Sequence, residues 1–204
     1  MRQDPYSTLY ARLAEGIPKD RLIRDPLRTL AYGTDASFYR LIPRLIVRVE
    51  SEAEVLLTLS TCRELKLPVT FRAAGTSLSG QAVTDSVLML LGTTGWRRWS
   101  TAPDGSDIHL GAAILGIEAN RYLAPFGRKI GPDPASIHSA KIGGIVSNNA
   151  CGMTSGVTRN SQGTLKAMRI IFADGTLLDT GDPESRNRFL NTRPDMVERI
   201  QALA

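Results

Sequence analysis

Residues 131–152 read Gly131-Pro-Asp-Pro-Ala-Ser-Ile-His-Ser-Ala-Lys-Ile-Gly-Gly-Ile-Val-Ser-Asn-Asn-Ala-Cys-Gly152. The stretch favours backbone shape over side-chain bulk: four glycines, two prolines and the run Ser147-Asn148-Asn149 interrupt an apolar chain, and Ile142–Val146 is long enough for one buried turn of helix. Glycine permits close approach and positive φ, so such a segment can wrap backbone N–H groups around an anion. A second stretch of the same character lies well upstream, Phe71-Arg72-Ala73-Ala74-Gly75-Thr76-Ser77-Leu78-Ser79-Gly80. Two cradles in a chain of 204 residues point to one large ligand.

Outward from the cradles the pattern is mixed α and β. Leu45–Val49 is β-branched and suits a strand, and Ser51-Glu52-Ala53-Glu54 is a capping box in which Glu54 can reach back to the Ser51 N–H. Val55, Leu56, Leu59, Cys62 and Leu65 then recur at helical spacing up to Pro68. Val69–Phe71 leads as a strand into the first cradle, and Val87–Leu91 follows as another. The strand after the crossover helix is expected parallel to the first. From Gly92 the reading changes: Trp96–Trp99 and Asp107–Gly111 form a hairpin around Pro103–Ser106, and Ile114–Phe126 is an amphipathic helix ending at Gly127. Beyond the second cradle, Ala167–Phe172 and Thr176–Asp179 flank the hairpin signal Asp174-Gly175. Arg193–Ala204 starts a helix with Met196, Val197, Ile200 and Leu203 apolar. At the other end, residues 4–15 put Tyr6, Leu9, Tyr10 and Leu13 on one helical face before Gly16, and residues 21–32 suit a short helix with Leu22, Leu27 and Leu30 inward. These elements suggest a helical extension over 1–42, a first lobe over 43–91, a second over 92–185 and the start of a C-terminal helix over 186–204.

Composition excludes several classes. With 42% hydrophobic and 22% charged residues the chain is an ordinary globular one. No apolar run approaches the ~18 residues that span a bilayer, and the N-terminal residues hold an acid and no apolar core of a leader, so a cytoplasmic location is expected. Cys62 and Cys151 stand far apart in no metal-ligand spacing, and only His109 and His138 are present, so neither a disulfide framework nor a metal site is expected. The net charge of +5 favours anionic partners. Its basic residues are scattered among acids without a nucleic-acid signature, so a solvated basic surface is the simpler reading and nucleic acid is not expected.

The first cradle is neither of the common phosphate motifs. Gly75 and Gly80 have P-loop spacing but are followed by Gln81-Ala82 instead of Lys and Ser/Thr, and Ser77 stands where a GxGxxG would need glycine. What remains is a nest of N–H groups from Ala73 to Leu78 assisted by the Thr76 and Ser77 hydroxyls, or simply a glycine-rich turn between two strands.

Four segments in order, Arg72–Gly80, Gly131–Ser136, Ile142–Gly152 and Ile170–Thr176, resemble the successive FAD-binding signatures of the vanillyl-alcohol oxidase / p-cresol methylhydroxylase (PCMH) flavoprotein family. Within it the chain is most similar to FAD-dependent D-lactate dehydrogenases of the glycolate-oxidase-like branch. The resemblance covers roughly residues 25–185. It implies an α+β, PCMH-type fold of two lobes with FAD extended between them. By position it implies that Arg72 could offset pyrophosphate charge, a structural salt bridge being the alternative. The backbone of Ala73, Ala74, Gly75, Thr76, Ser77 and Leu78 would bind the pyrophosphate, continued by Gly80 and Gln81. Pro132, Asp133 and Ser136 would line the second side. Ile142, Gly143 and Gly144 would admit the ribityl and phosphate part, with Ser147, Asn148, Asn149 and Gly152 beside it and Ile170 meeting the adenine through its backbone.

Some members of that family attach flavin covalently through His or Cys. The first cradle has neither, so FAD is expected to be non-covalent, with His138 a loop residue and Cys151 a buried filler. Oxidation of a D-2-hydroxy acid needs a base and a cationic clamp for the carboxylate. The resemblance assigns both to a substrate domain C-terminal to the FAD portion, which this chain is expected to lack, so no catalytic residue is named, and the small 2-hydroxy acid would bind only with that domain. The electron acceptor is not legible. The alternatives left open are a non-catalytic nucleotide- or nucleic-acid-binding module on the same fold and an FAD enzyme of the same superfamily with another substrate.

Overall fold

The computed structural model describes residues 4–203, which fall into two compact units, Met1–Thr164 and Leu165–Ala204. Helix α1 (Pro5–Leu13) starts where the Asp4 carboxylate accepts the Ser7 N–H at 3.1 Å, with proline as its first residue. Both features deal with N–H groups that a helix start leaves unpaired. Leu9 and Leu13 are fully buried, as their spacing predicts. The segment that follows departs from expectation. Leu22–Ile23 form a short strand, β1, and only Pro26–Ala31 are helical (α2). Leu22 is buried because β1 pairs antiparallel with β2 (Leu45–Val49), opposite Val47. Leu27 and Leu30 face outward, 75% and 40% exposed, and Thr29 takes the buried place with its hydroxyl bonded to the Pro26 carbonyl. A helix this short presents no continuous apolar stripe.

Helix α3 (Glu52–Glu64) carries the predicted cap in altered form. Ser51 Oγ accepts the Glu54 N–H at 3.3 Å, but the Glu54 carboxylate takes the N–H of Glu50, at 2.7 Å, instead of that of Ser51. Both its oxygens also hold the Arg21 guanidinium, each at 2.8 Å. A carboxylate gripped by both arms of a guanidinium is held in one orientation, and here it lies toward the end of β2. The buried face of α3 is Val55, Thr58, Leu59, Thr61 and Cys62, with Leu56 and Leu65 only partly covered. The two threonines tolerate burial because their hydroxyls donate to the carbonyls of Glu54 and Leu57.

β3 (Val69–Arg72) and β4 (Val87–Leu91) complete a sheet of order β1-β2-β4-β3 in which β2, β4 and β3 are parallel. β3 is therefore parallel to β2 as predicted but not beside it, since the chain returns to insert β4 between them. Its uninterrupted apolar run marks β4 for that interior position. Ile23, Ile46, Leu88 and Leu90 form a buried cluster with Tyr32 packed against it.

A hairpin follows, β5 (Trp99–Thr101) and β6 (Ile108–Leu110). It begins later than the sequence suggests, because Trp96 is engaged elsewhere: its indole N–H donates to the Val49 carbonyl at 2.9 Å. Helix α4 (Gly116–Leu123) runs into a 3-10 turn and ends at Gly127 with φ +66°, where the sequence places the stop. Two short helices, α5 (Ile142–Ser147) and α6 (Ser161–Thr164), close the first unit.

In the second unit β7 (Arg169–Ile171) and β8 (Leu177–Asp179) form the Asp-Gly hairpin, followed by α7 (Pro183–Thr192) and α8 (Pro194–Gln201). Helix α7 overlaps the 186–204 span assigned to a C-terminal helix but is separate from α8 and starts earlier, at Asp182-Pro183: the Asp182 carboxylate accepts the N–H groups of Glu184 and Ser185. Of the predicted apolar face, Met196 and Val197 are partly buried, whereas Ile200 on α8 and Leu203 beyond its end are 57% and 89% exposed. Ala204 lies outside the described residues. Among the described residues, no helix is long and apolar enough to cross a membrane, and no cluster of side chains could hold a metal.

Candidate functional site

Register across the parallel strands builds the floor of a cleft. Leu90 on β4 is opposite both Arg48 on β2 and Arg72 on β3, and residues in register on a sheet share a face. Two residues earlier the same face carries the buried Ile46 and Leu88. The apolar row thus gives way at the carboxyl end to a leucine flanked by two cations. Such crevices are where open α/β sheets receive ligands. The cleft has a volume of about 450 Å³ and is lined by Tyr32, Arg48, Arg72, Ala73, Ala74, Leu90, Leu91, Thr93 and Lys141.

The first glycine-rich loop leaves β3 at this point. Gly75 and Gly80 have φ of +74° and +71°, a region side chains rarely enter. Among the described residues, no backbone N–H from Ala74 to Leu78 donates to a protein acceptor, so a run of donors stands without a partner, which is the condition for an anion nest. The Ser77 hydroxyl serves the loop itself: it accepts the N–H groups of Ser79 and Gln81 and donates to the Gln81 side chain at 3.2 Å. Arg72 makes no salt bridge among the described residues. Its Nη1 donates to the carbonyls of Tyr32, Thr34 and Ala82 at 3.2, 2.8 and 3.3 Å, and its guanidinium lies 5.6 Å from the Tyr32 ring centroid. Burial pushes its pKa down, against the opposing charge of Asp35.

The second stretch reaches the same cleft through Lys141, just ahead of α5. The Lys141 ammonium donates to the Leu91 carbonyl at 3.1 Å, and burial lowers its pKa, opposed by Glu50. Ile142 and Gly143 donate to the carbonyls of Ile114 and Ala112 at 2.8 and 2.9 Å, and Ile142 packs on the cluster Ile137, Ala140 and Ile145. Of the predicted buried turn only Ile145 is fully buried; Ile142, Gly143, Gly144 and Val146 are partly buried. A Cβ on Gly144 would stand 3.4 Å from that of Ala73, so the two stretches pass against each other there. Ser147 donates to the Gly143 carbonyl at 2.7 Å. Asn148 and Asn149 are exposed, the latter accepting the Gln162 N–H at 2.9 Å. Gly152 crosses directly over the Asp133 carbonyl.

The remaining predicted residues are occupied locally. Asp133 accepts the Thr154 hydroxyl at 2.6 Å and Lys129 at 3.4 Å, and the Thr154 bond above all holds its pKa down. Pro132 is buried, and the Ser136 carbonyl accepts the N–H groups of Ser139 and Ala140. Ile170 sits on β7 in the second unit, opposite Leu178. His138 is exposed. Cys151, expected as a buried filler, is an exposed free thiol, whereas Cys62 is buried.

Residues 43–181 match the FAD binding domain model. The chain belongs to this family of FAD-binding domains. It is 28% identical over 154 residues to D-2-hydroxyglutarate dehydrogenase of Escherichia coli (strain K12), which covers 74% of this chain and 15% of that protein. It is 30% identical over 152 residues to glycolate oxidase subunit GlcD of the same strain, covering 74% of this chain and 30% of that one. Its structure superposes on p-cresol methylhydroxylase with substrate bound, TM-score 0.70 over 90% of this chain and 37% of the other at 12% identity. This FAD-binding domain therefore has the PCMH-type α+β fold, and the chain spans less than a third of the length of either curated relative. Tyr32, Arg48, Thr93 and Lys141 line the cleft of the domain without having been singled out in the sequence. Two carried a signal: Arg48 is the one charge in the strand Leu45–Val49, and Lys141 directly precedes Ile142-Gly143-Gly144.

Proposed function

We propose that this FAD-binding domain is the cofactor-holding part of an oxidoreductase acting on a small D-2-hydroxy acid, and that it binds FAD non-covalently. The observation that carries the binding mode is the run of N–H groups from Ala74 to Leu78 without protein acceptors, next to Arg48, Arg72 and Lys141. In this reading the backbone of Ala73–Leu78 receives the pyrophosphate, with Gly80 and Gln81 continuing the contact. Arg72, held by three carbonyls and making no salt bridge among the described residues, adds positive charge in a fixed place. Ile142, Gly143 and Gly144 give close backbone approach, and Ser147–Gly152 and the Pro132–Ser136 turn flank the ligand. The first loop offers neither His nor Cys for attachment.

FAD when bound supplies two-electron oxidation chemistry; the residues of this chain bind and orient it. The substrate class rests on the names of the relatives, a D-2-hydroxyglutarate dehydrogenase and a glycolate oxidase subunit, both of which act on 2-hydroxy acids by those names. The base and the carboxylate clamp belong, in this reading, to the further polypeptide that such relatives contain. Titration of the folded chain with FAD, followed by flavin fluorescence, tests the binding mode. Saturable quenching that is reversed by gel filtration in denaturant supports non-covalent binding; no saturable change, or flavin that stays with the unfolded chain, overturns it.

A further inference from the structure

The segment before the family-matched residues 43–181 is fastened to the first glycine-rich loop at both of its positive-φ positions. Residues 33–41 close on themselves: the Gly33 carbonyl accepts the Leu41 N–H at 3.0 Å, and Thr34 pairs with Arg40. From this closed loop the Ala36 N–H donates to the Gly75 carbonyl at 3.0 Å. The Tyr39 ring packs over Gly80, so close that a Cβ there would lie 2.8 Å from its Cδ2. Between these contacts the Asp35 carboxylate accepts Ser37 on one oxygen and the Ala82 N–H, at 3.3 Å, on the other. Burial alone would raise the Asp35 pKa, but the bonds from Ser37 and Ala82 and the charge of Arg72 outweigh it and hold it down. The Thr34 carbonyl receives Arg72 at 2.8 Å.

Within the loop the Ser77 hydroxyl ties only its later part, to Ser79 and Gln81. The N–H donors of Ala74–Leu78 have no internal acceptors, so contacts from outside the loop contribute to the conformation that exposes them. Both glycines where the backbone enters the left-handed region are braced by the same ten-residue segment. We propose that residues 33–42 are a second, sequence-distant part of the cofactor site: a strap that holds the nest in its anion-receiving shape, with Asp35 and Tyr39 as positioning residues. The proposal rests on the FAD reading above.

The test uses the 204-residue chain. In wild type, hydrogen–deuterium exchange with and without FAD should show protection of residues 33–42 together with 73–82. Asp35→Asn replaces one of the two accepting oxygens by a donor, and Tyr39→Ala removes the ring over Gly80. Each should raise the FAD dissociation constant by about tenfold or more, the equivalent of one charge-assisted hydrogen bond or a comparable packing contact, while the apo melting temperature moves by only a few degrees. Tyr39→Phe keeps the ring and should retain wild-type affinity. If wild type shows no saturable FAD binding, the FAD reading itself falls. If wild type binds FAD but the strap gains no protection, or if Asp35→Asn and Tyr39→Ala bind as tightly as wild type, the strap proposal is overturned and the FAD reading stands. Should the variants not fold, the wild-type exchange result alone decides.

Discussion

Replacing Gly75 by alanine should destabilise the chain far more than the size of a methyl group suggests. At φ +74° the residue occupies the left-handed region, where a side chain costs about 1–2 kcal/mol. The added Cβ would also stand 2.4 Å from Arg72 Nη2. A guanidinium could ordinarily swing aside, but Arg72 Nη1 is tied to three carbonyls, so retreat forfeits about 1–2 kcal/mol of hydrogen bonding. The sum is about 2–4 kcal/mol. In urea, with a slope of about 2 kcal/mol/M for a chain of this size, the midpoint should fall by about 1–2 M. Gly144→Ala is the matched comparison: its Cβ meets Ala73 at an ordinary 3.4 Å, and alanine is favoured in a helix by about 1 kcal/mol, so stability should hold or rise. A double-mutant cycle separates the two terms. In an Arg72→Ala background Gly75→Ala should cost only its backbone share, about 1–2 kcal/mol. A wild-type midpoint for Gly75→Ala, or an unchanged cost without Arg72, would refute the reasoning.

Three further outcomes are expected. Gly144→Leu should fill the gap between the two glycine-rich stretches and weaken FAD binding by at least tenfold, about 1.4 kcal/mol, with little change in the urea midpoint; equal affinity would remove Gly144 from the site. In the native protein a thiol reagent at mildly alkaline pH should label Cys151 and spare Cys62, which is 1% exposed and whose pKa burial pushes up to about 11, whereas the denatured chain should react at both; rapid native labelling of Cys62 would contradict its burial. Glu50 accepts the N–H groups of Thr93, Thr94 and Gly95; burial tends to raise its pKa, but these bonds and Arg21 lower it below its ordinary 4.5. A depressed carboxylate stabilises fully above its unfolded pKa, and that share is lost as pH falls through the folded one. The melting-temperature gap between wild type and Glu50→Gln should therefore be constant near neutrality and close below pH 4.5; a gap that widens in acid would be the wrong sign.

Local chemistry was strong enough to read much of the fold directly. Strands β2 and β4 fall on Leu45–Val49 and Val87–Leu91 as their β-branched and apolar runs indicate, and Gly127 and Asp174-Gly175 mark a helix end and a hairpin. Short elements were harder. Helix α2 exposes two of the leucines expected inward, and the Glu54 side chain reaches one residue past its predicted target because Arg21, distant in sequence, holds it. The exposure of Cys151 was likewise not legible, since a small residue among small residues gives no pattern.

By itself, the sequence determined the two glycine-rich stretches, because glycine spacing acts through the backbone and needs no distant partner to be recognised; the family, the PCMH-type fold and FAD as cofactor followed from the resemblance of four ordered segments. Only the tertiary structure decided which cations share the cleft and what holds the first loop in shape. Arg48 and Arg72 meet across Leu90 through strand register, Lys141 arrives through its bond to Leu91, and residues 33–42 reach Gly75 and Gly80 by folding back on them. Each is a contact between segments whose separation along the chain carries no periodic signal, so its energy becomes visible only once the chain has brought them together.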